Sequence, residues 1–363
     1  MRAISEYIDR LANALTESGH LTDPKWRSTL HAVPRHLFAP ALAWSEADGQ
    51  NQLVDRDQDE AAWLSTVYSD TSIITQLDDG ATPLEAGGDN YTSSLSAPGV
   101  VVAFLELLNP YDRHRVLEIG TGTGWTAALL AHRVGHENVT SVEVDASLGK
   151  QAAANLEAAG FFPNLIIGDG ATVRPDGGPF DRVHVTCGVS MLPYAWVEQT
   201  RPGGVIAFPY VPGFAYGHKA RLTVTNDGRA IGRFSGDAGY MMLRSQRFGG
   251  YMVTDAEPGQ TTTRIDPRTI AWDSYGCDVA MAGMLPGVIT VEEVAGGGSF
   301  CLQLHEPAGS WARAAYEPGN DVYRVEQAGG RRLWDEVEAA YFTWLGWGSP
   351  GRGRFGMTVL PNG

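Results

Sequence analysis

The tightest constraint on this chain lies between residues 115 and 132. Arg115-Val116-Leu117-Glu118-Ile119 is a short apolar run suited to a buried strand, Gly120-Thr121-Gly122-Thr123-Gly124 follows it, and from Trp125 to His132 the spacing turns helical. Glycines at such a junction let the backbone turn sharply and approach a ligand, while the helix that follows presents unpaired N–H groups at its start. The middle of the chain fits around this unit. A helix is expected at 100–108, strands at 139–144, 164–167, 181–186 and 204–209, and helices at 147–159 and near 194–200. Strands alternating with helices at this rhythm build an α/β fold around a doubly wound, mostly parallel sheet.

The flanks read differently. Ile4, Ile8, Leu11 and Leu15 recur at helical spacing up to Gly19, and Asp23-Pro24 marks a second helix start that runs to Val33 before Pro34. Residues 45–91, rich in Asp, Gln, Gly and Thr, read as long loops, and loops of that length tend to be functional. Beyond Pro212 the helical period is lost. A hairpin is expected from 219–225 and 230–234 around Asn226-Asp227-Gly228, then a linker at 257–267 and strands including 288–294 and 300–304. A final helix carries Leu333, Val337, Tyr341 and Trp344 on one face, where its aromatics read as core. The expected layout is a helical and loop region for substrate at 1–97, a core at 98–235 and a β-rich extension with a final helix at 236–363; 363 residues leave room for it at about 150 per domain.

Composition narrows the function. With 43% apolar and 19% charged residues the chain can bury a core, and 27 basic against 42 acidic side chains give a net charge of −15. Such a surface repels phosphate backbones, so no nucleic-acid partner is expected. The three cysteines, Cys187, Cys277 and Cys301, have no CxxC spacing and read as neither disulfides nor a metal site. The start, from Met1 to Glu6, lacks the apolar stretch of a signal peptide, and the longest apolar run, 99–105, is far short of a span. No membrane partner and a cytoplasmic location are expected.

The glycine loop fits two cofactors on spacing alone. Gly122, Gly124 and Ala127 satisfy G-x-G-x-x-A, which suits a nicotinamide dinucleotide and S-adenosylmethionine equally. Glu143 ends the next strand, where an acidic side chain accepts from both ribose hydroxyls. Asp169, in Gly168-Asp169-Gly170 after the third strand, is placed to accept from an adenine amine; in isolation it also reads as a turn aspartate. The cofactor set is therefore Glu118, Gly120, Thr121, Gly122, Gly124, Glu143, Asp169 and Gly170. His132 and His136 are spaced i, i+4 but have no third ligand and sit at a helix end, where a dipole contact explains them. His184 reads as buried. Cys187 lies near the expected cleft without a paired histidine, so it reads as lining and not as a nucleophile.

Residues 116–131, Glu143, Gly168-Asp169-Gly170 and Arg201-Pro202-Gly203-Gly204 resemble the class I S-adenosylmethionine-dependent methyltransferases, which have a Rossmann-like sheet. More narrowly, Val33-Pro34-Arg35-His36-Leu37-Phe38-Ala39-Pro40, Tyr68-Ser69-Asp70 and Ser94-Leu95-Ser96-Ala97-Pro98 resemble the protein L-isoaspartate O-methyltransferases over about residues 25–212. That resemblance implies S-adenosylmethionine as donor, S-adenosylhomocysteine as product, and a Ser segment that binds the substrate carboxylate. Ser96 is then the catalytic candidate, with Ser94, Tyr68, Asp70, Thr186 and Cys187 beside it for substrate; N-capping of the helix after Pro98 is the bland alternative for the two serines. The long stretch 71–92, the segment Thr186-Cys187-Gly188-Val189 and the C-terminal extension further resemble an actinobacterial subgroup acting on graspetides, ribosomal peptides cyclised by ATP-grasp enzymes. The subgroup resemblance implies a modified precursor peptide as substrate, an ATP-grasp ligase upstream, and an aspartyl ester that closes to an aspartimide. Repair of isoaspartyl residues in damaged proteins is the alternative, and an NAD-dependent dehydrogenase or a peptide-binding module without turnover are the readings from other classes.

The implied reaction needs little acid–base machinery. A carboxylate, with a reference pKa of about 4, is already ionised at neutral pH. Alignment of oxygen, methyl carbon and sulfur is the enzyme's main task, worth up to roughly 7–11 kcal/mol. The absence of an obvious catalytic dyad agrees with this.

Overall fold

A computed structural model describes residues 2–47, 50–214, 216–250, 254 and 256–361. Met1, residues 48–49 of the expected loop region and residues 362–363 of the extension lie outside the described residues.

The N-terminal helices form for the reasons their sequence gives. Helix α1 (Arg2–Glu17) buries Ile8, Leu11 and Leu15 along one face, and Gly19, at φ +77°, turns the chain out of it. Helix α2 (Pro24–Ala32) starts where the Asp23 carboxylate accepts the Lys25 N–H at 2.9 Å. The next stretch is not loop. Strands β1 (Leu42–Ala47) and β2 (Gln50–Asp55), helix α3 (Glu60–Val67), and strands β3 (Ile73–Leu77) and β4 (Tyr91–Leu95) fill it, and the four strands form an antiparallel sheet in the order β2-β1-β3-β4. Strands such as Tyr-Thr-Ser-Ser-Leu look like loop because their residues are mostly polar, although Ser93 and Leu95 are buried.

The central layer follows the expected alternation: α4 (Pro98–Leu108), β5 (Val116–Ile119), α5 (Trp125–Val134), β6 (Val139–Glu143), α6 (Ala146–Ala158), β7 (Asn164–Ile167), β8 (Phe180–Val185), α7 (Tyr194–Glu198) and β9 (Thr200–Tyr210). Five strands run parallel in the order β7-β6-β5-β8-β9. Strands β10 (His218–Val224) and β11 (Ala230–Asp237) then extend the sheet antiparallel, since a short connection without a crossover helix permits no other direction.

The C-terminal extension is a five-stranded antiparallel sheet with more helix than its sequence suggests. It comprises β12 (Gly259–Thr263), α8 (Pro267–Ala271), α9 (Tyr275–Met284), β13 (Ile289–Val294), β14 (Phe300–His305), β15 (Trp311–Tyr316), β16 (Tyr323–Ala328) and α10 (Leu333–Gly346), with strand order β12-β16-β15-β14-β13. The expected linker at 257–267 is largely β12, an edge strand whose exposed Gln and Thr residues read as loop. Helix α9 escaped detection because residues 276–282 are all buried, leaving no polar face to set a period. Trp334, Tyr341 and Trp344 of α10 are core, as expected. Strand β17 (Gly356–Val359) returns to the central sheet and pairs with β11, completing eight strands. Among the described residues no helix is long and apolar enough to cross a membrane.

Candidate functional site

The carboxyl ends of β5, β6 and β8 meet β4 and residues 239–247 around a cleft of about 280 Å³. This is where an open α/β sheet binds ligands. The glycine loop forms its floor in a conformation that side chains resist: Gly120, Gly122 and Gly124 have φ of +94°, +55° and +91°. A Cβ on Gly120 would sit 2.5 Å from Thr186 Oγ1, and one on Gly170 would sit 2.5 Å from Ile119 Cγ2. Helix α5 begins at Gly124 with no side-chain cap, so its first N–H groups stay available near the cleft.

Two carboxylates stand at the ends of successive strands. Glu143 lines the cleft, its Oε2 accepting the Gly122 N–H at 2.9 Å and its Oε1 the Asp145 N–H at 3.0 Å. An ionised carboxylate offers about four acceptor positions, so acceptor capacity remains. Asp169 Oδ1 accepts the Ala171 N–H at 2.9 Å, which makes Asp169 a turn residue; its neighbour Gly170, and not Asp169, lines the cleft.

Glu118 does not line the cleft. Ile119 does, and alternation along β5 sends Glu118 to the other side, fully buried. Its Oε2 accepts from Ser141 Oγ at 2.5 Å, and Ser141 Oγ lies 2.6 Å from Thr121 Oγ1, so Glu118 supports the loop through two hydroxyls. Burial, partly offset by the Ser141 bond and helped by nearby Glu143, pushes the Glu118 carboxyl up to about 8. The unfolded chain ionises this group near 4.5, so stability is lost as pH rises from about 4.5 to about 8. Glu118→Gln should therefore match the native protein below pH 4.5 and exceed it by an increasing margin up to pH 8. Urea denaturation at pH 4, 6 and 8 measures this; a constant difference across that series sinks it.

Ser94 and Ser96 both line the cleft, close beside the glycine loop. A Cβ on Gly122 would lie 3.7 Å from the Ser94 carbonyl oxygen. Neither serine caps α4: its N-cap is Ala97 without a side-chain bond, and Asp70 Oδ1 instead takes the Gly99 N–H at 2.6 Å. Asp70 is thus the cap, and Tyr68 is buried with its hydroxyl 2.6 Å from His36 Nδ1. Both lie behind the serine segment and outside the cleft lining. The Tyr-Ser-Asp motif supports the wall instead of facing a ligand.

Thr186 and Cys187 line the cleft as expected. The Thr186 hydroxyl donates to the carbonyls of Gly120 (2.5 Å) and Ile119 (3.0 Å), which pins the loop to β8. Burial, with Glu143 and Asp169 adding to it, raises the Cys187 thiol far above its ordinary range and keeps it protonated. His184 is buried and held neutral, its pKa lowered to about 4. His136 accepts the Phe162 N–H at 3.0 Å, and among the described residues no group of three metal-capable side chains occurs.

Residues 239–247 were not singled out from the sequence, yet Gly239, Tyr240, Met241, Met242, Leu243, Arg244 and Arg247 all line the cleft. The segment is laced to Gly188, whose N–H donates to Met241 O and whose carbonyl accepts the Leu243 N–H, each at 2.8 Å. Arg244 Nη2 bridges Asp79 (2.8 Å) and Asp145 (3.2 Å), and Arg247 Nη1 binds both Asp79 oxygens at 2.9 and 2.7 Å. The pair Arg244 and Arg247, after the hairpin, was the available signal.

Residues 53–244 match the family model for protein-L-isoaspartate(D-aspartate) O-methyltransferase. The protein-L-isoaspartate O-methyltransferase of Methanopyrus kandleri is 30% identical over 204 residues, 55% of this chain and 75% of that one. The enzyme of the same name from Methylorubrum extorquens is 36% identical over 200 residues, 55% of this chain and 71% of that one. A solved protein-L-isoaspartate O-methyltransferase aligns with 98% of this chain and 97% of its own at a TM-score of 0.56 and 19% identity.

Proposed function

Since this chain belongs to the protein-L-isoaspartate O-methyltransferase family, we propose that it methylates the free carboxylate of an L-isoaspartyl residue in a peptide or protein. The fold is that of the class I S-adenosylmethionine-dependent methyltransferases, and the chemistry of the family is carboxyl O-methylation. The observation that carries the proposal is the contact of two segments: the serine segment and the glycine loop share one cleft, with the Ser94 carbonyl against Gly122. When bound, S-adenosylmethionine supplies an electrophilic methyl group with its leaving group already in place.

The residues present fit that donor. Glu143 retains acceptor capacity for ribose hydroxyls while two backbone N–H groups hold it in place. Asp169 stands just outside the cleft lining beside Gly170, and the oxygen not bonded to Ala171 is the candidate acceptor for the adenine amine, while Gly120 and Gly122 leave space for close approach. Ser94 and Ser96 hold the substrate carboxylate by hydrogen bonds, which orient it without neutralising it. Arg244 and Arg247 are engaged by Asp79 and Asp145 and so leave the nucleophile unpaired. No general base is required, because the carboxylate is ionised at neutral pH. Closure by β4 and residues 239–247 excludes water, which favours a step in which anion and cation neutralise each other.

The second reading is a normal aspartate within a cyclised ribosomal peptide modified upstream by an ATP-grasp ligase, its methyl ester closing to an aspartimide as the next backbone nitrogen displaces methanol. The C-terminal extension no longer favours this reading, since its fold is shared end to end with a protein-L-isoaspartate O-methyltransferase. The long β3–β4 connection still does, because Asp79 within it ties to Arg244 and Arg247 at the cleft. Mass spectrometry with S-adenosylmethionine and two peptides separates the readings. A methylene gain on an isoaspartyl peptide, absent from its normal aspartyl isomer, is the expected result. Turnover confined to the cyclised peptide, ending in net loss of water, would overturn it.

A further inference from the structure

Arg35 is a buried cation held in place by backbone carbonyls. It follows Pro34, which stops α2, and is 1% exposed. Its Nη1 donates to the carbonyl of Val67, and its Nη2 to those of Thr71 (2.9 Å), Leu95 (3.1 Å) and Ser96 (3.0 Å). The Asp70 carboxylate acts on the guanidinium through space, and its Oδ1 is engaged by the Gly99 N–H. The guanidinium also stands 5.4 Å from the ring centre of Trp125, a cleft residue whose Nε1–H reaches Val33 O at 3.2 Å. Burial lowers the Arg35 pKa to about 9, which leaves it protonated at neutral pH.

These contacts join three sequence motifs at one point. Val67 and Thr71 flank Tyr68-Ser69-Asp70, while Leu95 and Ser96 belong to the serine segment. The carbonyl dipoles, and not a direct ion pair, fix the guanidinium, with Asp70 balancing part of its charge from a distance. The Leu95–Ser96 peptide is trans, so a Leu95 carbonyl turned toward Arg35 turns the Ser96 N–H the opposite way. A carbonyl bonded to a cation also polarises its peptide group, which strengthens the N–H as a donor.

We infer that Arg35 is the positioning residue of the substrate-carboxylate subsite: from behind the wall it fixes the Leu95 and Ser96 carbonyls, presents the Ser96 N–H away from the buried side, and sets a positive charge behind the anion to be methylated. The inference rests on the reading of the serine segment as the carboxylate site. It explains how a protein of net charge −15 can gather an anion without a cation in direct contact, which would damp the nucleophile.

The test compares native enzyme, Arg35→Lys and Arg35→Gln, each checked for folding by circular dichroism, in S-adenosylhomocysteine binding and in isoaspartyl-peptide kinetics. Arg35→Gln should raise the peptide KM at least tenfold and lower kcat, Arg35→Lys should recover part of the KM loss, and cofactor affinity should stay within about twofold. Unchanged peptide kinetics in Arg35→Gln overturn the inference, as does cofactor affinity falling in step with peptide affinity. A chain that folds only with arginine at position 35 also overturns it, by assigning the residue to folding. If the native enzyme turns over only the cyclised peptide, the isoaspartyl reading fails while the same variants, read on that peptide, decide the role of Arg35. Native enzyme silent on both peptides overturns both.

Discussion

Gly120→Ala is expected to abolish cofactor binding and to destabilise the fold by about 2–4 kcal/mol. Two costs coincide there. The residue sits at φ +94°, outside the range that suits an L side chain. The added methyl would also meet Thr186 Oγ1 at 2.5 Å, and that hydroxyl cannot retreat without releasing the carbonyls of Ile119 and Gly120. The backbone must therefore shift where the cofactor is to lie. Gly160→Ala is the control, because Gly160 has φ +80° and a methyl placed there would meet nothing within 4 Å. It should lose stability from the backbone alone and bind S-adenosylhomocysteine normally. Calorimetric titration and urea denaturation of both variants measure the contrast; equal affinities would refute the role given to the loop.

Glu143→Ala should weaken S-adenosylhomocysteine binding by about 10²–10³-fold, the equivalent of roughly 3–4 kcal/mol. The substitution removes the acceptor for the proposed ribose contacts. It also strips the Gly122 and Asp145 N–H groups of the partner that sets the loop against the β6 terminus. Glu143→Gln should fall between, since its amide keeps one acceptor oxygen but turns an NH₂ toward one of those N–H donors. The peptide KM measured at saturating S-adenosylmethionine should move little in either variant. Cofactor affinity within threefold of native in Glu143→Ala would remove Glu143 from the site.

The central sheet was legible because its middle strands β5, β6 and β8 are buried on both sides and read as short valine-bearing runs between helices. The glycine loop was legible as a turn for a related reason: positive φ at Gly120, Gly122 and Gly124 restricts residue type there. Glu118 was misjudged because a motif gives position along a strand but not the face, and the face depends on pleating. Tyr68 and Asp70 mark the right neighbourhood, yet they serve it from behind, as a buried hydroxyl and a helix cap. The N-terminal sheet and β12 were hidden by polar faces, α9 by the lack of one. For residues 239–247 the pair Arg244 and Arg247 marks the segment, but its place on the cleft is set by long-range contacts to Gly188, Asp79 and Asp145.

The pairing of β17 with β11 changes the topological character of everything between them. Arg233 of β11 lies opposite Gly356 of β17, so the chain leaves and re-enters the central sheet at adjacent points. The five-stranded sheet with its helices is therefore inserted into the core like a bracket fixed by two neighbouring bolts, not trailed behind it. A tail could swing without consequence for the cleft. An insertion so mounted is tied to the core at both ends, with the Thr290 N–H adding a bond to the Gly213 carbonyl at 3.0 Å, and one of its two arms begins with residues 239–247, the wall of the cleft itself.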